Sequence, residues 1–259
     1  MKYLVGDIGN TLTKLSLLNK NFNILKSYNI ETKKLYKKKS LEQYLNKIIY
    51  LDLNKKILFS SVVPSGYQKI KSFLEKKKFK TCEIKQFKIE KIIKIKVDNI
   101  KQVGSDRLAN AIGAYDKYKD NCLIIDFGTA TTFDIVKNPG AYDGGVIAPG
   151  INLSIHNLSK STALLPLLNL KSNTKTYGKN TKDALNAGFL WGYQGLINNI
   201  INKITLTSKI NYKVILTGGY AVFFKKYLKK KSVVDENITI KGIIKIYKKF
   251  IIWRKMNLY

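Results

Sequence analysis

The sequence predicts an α/β chain made of one unit used twice, with a ligand cleft between the two copies. Three observations carry that expectation. A short apolar strand runs into an aspartate and a glycine turn at Asp7-Ile8-Gly9-Asn10, and the same design returns at Asp126-Phe127-Gly128-Thr129. Each hairpin is followed by a third strand and then by alternating helices and strands. The chain has 259 residues, 45% of them hydrophobic, enough to bury two modest cores.

In the first copy, residues 3–7 form a strand and Gly9-Asn10 turns the chain into an alternating run, 12–18. A third strand covers 24–30. Ser40 is a candidate cap for a helix reaching about Tyr50, with Leu41, Tyr44, Leu45, Ile48 and Ile49 on one face. The β-branched run 56–63 ends at Pro64 as a strand; 67–77 reads as a helix and 81–87 as another strand. An amphipathic helix carrying Leu108, Ala111, Ile112 and Tyr115 opens at Gly104-Ser105-Asp106-Arg107. The second copy places strands at 121–126, 131–136 and 142–148, and helices at 153–164 and 181–204. A strand at 213–217, a helix at 222–228 and a closing helix at 241–253 complete it. The expected halves are residues 1–117 and 118–259.

Composition narrows the class. No run approaches 18 uninterrupted apolar residues, so no membrane helix is expected. Asp7 interrupts the N-terminal apolar run too early for a signal peptide, so the expected location is cytoplasmic. Cys82 and Cys122 lack metal or redox spacing, and His156 is the single histidine. Triad and multi-histidine metal chemistry are therefore hard to build. The net charge of +30 invites a nucleic-acid reading. Against it, only Arg107 and Arg254 are arginines among 47 basic residues, and the lysines fall in scattered clusters such as 37–39, 76–78 and 229–231. Specific nucleic-acid sites favour arginine for its bidentate geometry. The expectation is no nucleic-acid partner, and a general attraction for anions such as nucleotides and carboxylates.

Five motifs carry chemistry. In Asp7-Ile8-Gly9-Asn10-Thr11, glycine lets the backbone approach an anion, and Asn10, Thr11 and Thr13 place short polar groups at phosphate height. Asp7 repels phosphate but can hold Mg²⁺ or a metal-bound water. Alone, this stretch equally suits an ordinary hairpin turn. Asp126-Phe127-Gly128-Thr129-Ala130-Thr131-Thr132 repeats the pattern, and its threonines are poor turn formers, better explained by hydroxyls on phosphate oxygens. Thr217-Gly218-Gly219-Tyr220-Ala221 follows a strand and suits close approach of a ribose or flat ring, or a plain helix cap. Together the three give the order phosphate, phosphate, adenosine, as in the ribonuclease-H-like, actin-like ATPase superfamily.

The fourth motif, Gly104-Ser105-Asp106-Arg107, pairs a candidate base with a candidate anion grip. Asp106 can take the proton of an acceptor hydroxyl, and Arg107 can hold an acidic end of the substrate. A first-turn aspartate also simply complements the helix dipole. Arginine is unfavourable there, and this is one of two in a lysine-rich chain, which favours a functional role. The fifth, Gly144-Gly145-Val146-Ile147-Ala148-Pro149-Gly150, is placed to wall an acceptor pocket or merely to punctuate the chain.

These stretches resemble type III pantothenate kinases, which open coenzyme A biosynthesis. The matching segments are DIGNT from Asp7, VGSDRLANAIGA from Val103, DFGTATTFDIV from Asp126, GGVIAPG from Gly144, YGKNTKDALNAG from Tyr177 and TGGYA from Thr217. The resemblance implies ATP binding by Asp7, Ile8, Gly9, Asn10, Thr11, Leu12, Thr13 and Lys14, with Thr129 from the second loop. It implies Mg²⁺ with the nucleotide and a monovalent cation, K⁺ or NH₄⁺, at Asp126. It makes Asp106 the general base converting pantothenate to 4'-phosphopantothenate, with Gly104, Ser105, Asp106 and Arg107 lining the pantothenate pocket. It implies a homodimer with composite sites, Thr181 reaching the neighbouring subunit's substrate. One departure stands out: the family usually has a tyrosine followed by Asn-Pro before this motif, whereas this chain reads Val97-Asp98-Asn99-Ile100. Val97 offers an apolar wall and no hydroxyl, a difference of about 1 kcal/mol. Two other classes remain open on the residues alone: a binding protein that keeps the fold without the chemistry, and a kinase for another small acid or sugar.

Overall fold

The structure, a computed structural model, describes residues 1–172 and 176–252. It divides into two compact units: Met1–Lys119 with Gly140–Tyr142 and the segment from Asn237 onward, and Asp120–Pro139 with Asp143–Glu236.

The first unit is built on a sheet of β1 (Tyr3–Ile8), β2 (Leu12–Leu18), β3 (Ile24–Glu31), β4 (Lys56–Ser61) and β5 (Lys80–Glu83), in the order β3-β2-β1-β4-β5. The β1–β2 and β2–β3 pairs are antiparallel, whereas β4 is parallel to β1 and β5 to β4. Strand order and burial agree: Leu4, Val5, Ile8, Ile57, Leu58 and Phe59 are fully buried, as expected where a sheet is covered on both faces. Helix α1 (Lys38–Ile49) buries Leu41, Tyr44, Leu45 and Ile48, the stripe that its 3.6-residue period predicts. Its cap position is Lys37, so Ser40 lies inside the helix rather than at its start. Helix α2 (Pro64–Lys76) begins at the proline, whose fixed φ suits the first helical position. A two-residue strand, β6 (Lys94–Ile95), pairs in parallel with residues 141–142 of the same unit. Helix α3 (Ser105–Tyr118) follows, with Asp106 in its first turn.

The second unit repeats the order. Strands β7 (Cys122–Phe127), β8 (Ala130–Lys137), β9 (Ala141–Pro149), β10 (Lys213–Gly218) and β11 (Ser232–Val234) run β9-β8-β7-β10-β11. Again the first pair is antiparallel, with β10 parallel to β7 and β11 parallel to β10. Helices α4 (Ile151–Lys160), α5 (Thr181–Ser208) and α6 (Ala221–Lys225) complete it. Leu123, Ile125, Phe133, Ile197, Leu216 and Phe224 form the centre of its core.

The expected boundary after residue 117 falls two residues from the observed break, but the half 118–259 is not one body. Helix α7 (Ile238–Tyr247) returns to the first unit and packs against α3. Two glycines permit this approach: a Cβ on Gly113 would meet the Ile238 carbonyl, and one on Gly242 the Ala109 carbonyl. Residue 253, the expected end of that helix, lies outside the described residues, as does Arg254.

Candidate active site

In the first unit, β1 and β4 run parallel and end side by side, with the Val62 amide donating to the Ile8 carbonyl at 3.1 Å. The carboxyl ends of parallel strands are the usual ligand position in α/β sheets. Two of the predicted site segments meet there. The hairpin 7–14 closes with the Gly9 amide donating to Leu12 O at 3.0 Å, which leaves Asn10, Thr11 and Leu12 exposed at the tip. Asp7 and Lys14 face each other across the ladder. The Lys14 ammonium donates to Asn237 Oδ1 at 2.7 Å, a partner some 223 positions away that the sequence gives no reason to choose.

Strand alternation corrects one expectation. Ile8 and Thr13 are cross-strand partners and both are fully buried, so they point into the core. The Thr13 hydroxyl lies 3.0 Å from that of Thr32 and is not offered at phosphate height. Ile8 therefore contributes its main chain to the loop, not its side chain.

The second segment is residues 104–107. Gly104 sits beside Val62, so the start of α3 lies at the end of β4. A Cβ on Gly104 would collide with the Asp106 carboxylate, so glycine here opens the room that carboxylate occupies. Asp106 Oδ1 accepts from the Arg107 amide at 2.7 Å. Burial pushes the Asp106 carboxyl above the usual range, outweighing the downward pull of the Arg107 amide and the Arg107 and Lys85 charges. A half-buried carboxylate with a raised affinity for protons is what a general base requires. Ser105, expected to line the substrate pocket, is instead buried, and its hydroxyl donates to Glu83 Oε1 at 2.6 Å. Glu83 also accepts from the Lys85 amide at 2.6 Å, so it ties the end of β5 to the start of α3. Val97 is half-buried, just before Asn99, which caps the turn Ile100–Gln102 through Lys101 N at 2.9 Å.

In the second unit the equivalent loop carries Asp126 and Thr129. Asp126 pairs with Thr132 and with Thr217, as Asp7 pairs with Lys14 and with Ser60. Thr129 is exposed at the tip. Thr131, 1% exposed, points into the core, and Thr132 donates to Asp134 Oδ2 at 3.4 Å, so only one of the three threonines is displayed as expected. The Thr217-Gly218-Gly219 motif closes on this loop. Gly219 N donates to Phe127 O at 3.1 Å. Gly218 has φ +83°, and a Cβ there would lie 2.5 Å from Asp126 Oδ1. Both the backbone and the carboxylate demand glycine at this position.

Thr181 is the exposed first residue of α5, whose cap is Asn180: its Oδ1 accepts from Asp183 N at 2.9 Å, and its amide donates to Asp183 Oδ2 at 2.7 Å. A cavity of about 600 Å³ lies against this end, lined by Leu168, Lys171, Tyr177, Lys179 and Lys182 among others.

A family model described as type III pantothenate kinase matches residues 3–203. A type III pantothenate kinase from Pelagibacter ubique is 46% identical over 250 residues, 93% of this chain and 97% of the relative. One from Citrifermentans bemidjiense is 34% identical over 265 residues, covering 95% and 98%. Among solved structures, a conserved putative Baf family transcriptional activator from Campylobacter jejuni has a TM-score of 0.60 at 22% identity, covering 95% of this chain and 98% of that one. The activator of a 2-hydroxyisocaproyl-CoA dehydratase from Clostridium difficile, solved with ADPNP, scores 0.58 at 13% identity, covering 96% and 97%. At these identities the structural likenesses establish the fold alone.

Proposed function

The chain belongs to the type III pantothenate kinase family, and from that membership we propose that it transfers the γ-phosphate of ATP to the primary hydroxyl of pantothenate. The observation that carries the chemistry is Asp106, a carboxylate with raised proton affinity, held beside the end of β4 by the glycine that leaves it room. In the proposed step Asp106 accepts the hydroxyl proton as the oxygen forms a bond to the γ-phosphorus. The bond from that phosphorus to the bridging β-oxygen breaks, and ADP leaves. Arg107, whose guanidinium matches a carboxylate, orients the acidic end of pantothenate, with Val97 as an apolar wall and residues 104–105 shaping the loop. The loop 7–14 and Thr129 bind the phosphates through main-chain amides and short polar groups.

Mg²⁺ bound with the nucleotide would neutralise charge on the transferring group, and Asp7 is the side chain suited to hold it or its waters. A monovalent cation, K⁺ or NH₄⁺, fits Asp126. Its carboxylate stands against the bare Cα of Gly218 and supplies a hard oxygen of single negative charge.

We read the assembly as a homodimer. Helix α5 carries Gly188, Gly192 and Gly195, and a Cβ at any of them would meet nothing within 4 Å. Each glycine costs a helix about 1 kcal/mol relative to alanine, which one copy alone does not repay. Trp191 is 43% exposed on the same helix. A second copy packed closely on this face accounts for both, and in that dimer the partner subunit's Thr181 completes the pantothenate pocket. The protein acts in the cytoplasm in this reading, and its charge serves anion attraction rather than nucleic-acid recognition; among the described residues no helix is long and apolar enough to cross a membrane.

The test is product identification by ³¹P NMR after incubation with ATP, Mg²⁺, K⁺ and pantothenate, beside a panel of small hydroxy acids and sugars. A phosphomonoester on pantothenate alone is expected. Phosphorylation of another panel member replaces the acceptor, and DNA binding that survives physiological salt without any transfer replaces the kinase.

A further inference from the structure

We propose that Thr32 is a positioning residue for the nucleotide-phosphate loop, a role that rests on the kinase reading above. Thr32 opens the short turn Thr32–Tyr36 after β3 and is 2% exposed. Three of its bonds end on the loop. Its amide donates to Thr11 O at 2.9 Å, its hydroxyl donates to Gly9 O at 2.7 Å, and that same oxygen lies 3.0 Å from Thr13 Oγ1. A hydroxyl has one proton. With that proton on Gly9 O, Thr32 can only accept from Thr13, so the direction of the chain Thr13 to Thr32 to Gly9 is fixed. These contacts grip the first, middle and last parts of the segment 9–13, while Asn10 and Thr11 stay exposed.

The consequence is preorganisation. A glycine-containing hairpin tip has many conformations, and one whose amides converge on phosphate must be held before ATP arrives. Thr32 holds it from the buried side, touching no substrate. Its loss should weaken nucleotide binding and leave the acceptor side, at residues 104–107, unchanged.

The experiment compares Thr32→Val, which keeps shape and amide but deletes the hydroxyl, with Thr32→Ser, which keeps the hydroxyl. The readouts are the Kd of a fluorescent ATP analogue, the KM values for ATP and pantothenate, and the melting temperature. Thr32→Val is expected to raise the analogue Kd and the ATP KM by about tenfold, with the pantothenate KM within about twofold of wild type, and Thr32→Ser to restore both to within about threefold. Unchanged nucleotide Kd in Thr32→Val overturns the proposal. So does an equal loss for both substrates that Thr32→Ser does not rescue, which is the signature of a structural role. Should Thr32→Val not fold, Thr32→Ala carries the test, since it likewise deletes the hydroxyl and both of its bonds to the loop while keeping the amide. A raised analogue Kd is then expected, and an unchanged one overturns the proposal. The analogue Kd needs no acceptor, so failure of pantothenate as substrate and failure of the Thr32 role are read separately.

Discussion

Asp106 shows how one side chain can be tested against two roles. Burial raises its pKa, so the folded state binds its proton more tightly than the unfolded chain does. That makes the ionised carboxylate a stability cost, absent at low pH and felt as pH rises through the folded pKa. Asp106→Asn should therefore leave the melting temperature at pH 7 unchanged or higher, while kcat falls by about 10² to 10⁴-fold. A loss of fold with the loss of activity would make Asp106 structural. As a base it must be ionised, so kcat/KM should fall as pH drops through its pKa, with the acid limb nearer neutrality than an ordinary aspartate gives. Gly218→Ala should also be costly. A Cβ at φ +83° adds about 1–2 kcal/mol of strain and pushes on the Asp126 carboxylate 2.5 Å away. A melting-temperature drop together with a weakened response to K⁺ is expected. Residues 7, 106 and 126 stand out in the sequence because each is a carboxylate at the end of an apolar strand or at the start of an amphipathic helix. The inward hydroxyls of Thr13, Thr131 and Ser105 were misread as ligands. Their strand or helix phase places them in the core, and Thr131 shares its face with buried Phe133.

At the scale of elements, the strand order 3-2-1-4-5 in each unit follows from hairpin, third strand and crossover, all local signals. The two short strands, β6 and β11, have two and three residues and no period to detect. The destination of α7 was also hidden. Its packing on α3 depends on Gly113 and Gly242, which are far apart in sequence and look like helix-weakening residues. Gly242→Ala separates the explanations. Helix propensity alone predicts about 1 kcal/mol of stabilisation, whereas a Cβ against the Ala109 carbonyl predicts loss. The account expects a lower melting temperature, and a higher one would show that the close packing is not needed.

For the whole molecule, the +30 charge states little about partners because its lysines are scattered along the chain in short clusters rather than gathered in one segment. Assembly is the more informative property. Gly192→Leu places a bulky side chain where one copy has open space, so the monomer fold should survive and the proposed dimer should not. Light scattering after size exclusion should move from twice 29.5 kDa to 29.5 kDa, with turnover lost if the pocket is shared between subunits. A dimer that persists would place the interface elsewhere. The central claim is tested most directly by ADP release from the purified wild-type protein with ATP, Mg²⁺ and K⁺, with and without pantothenate. The account predicts release that depends on pantothenate and saturates with it; a rate no higher than in its absence would contradict it.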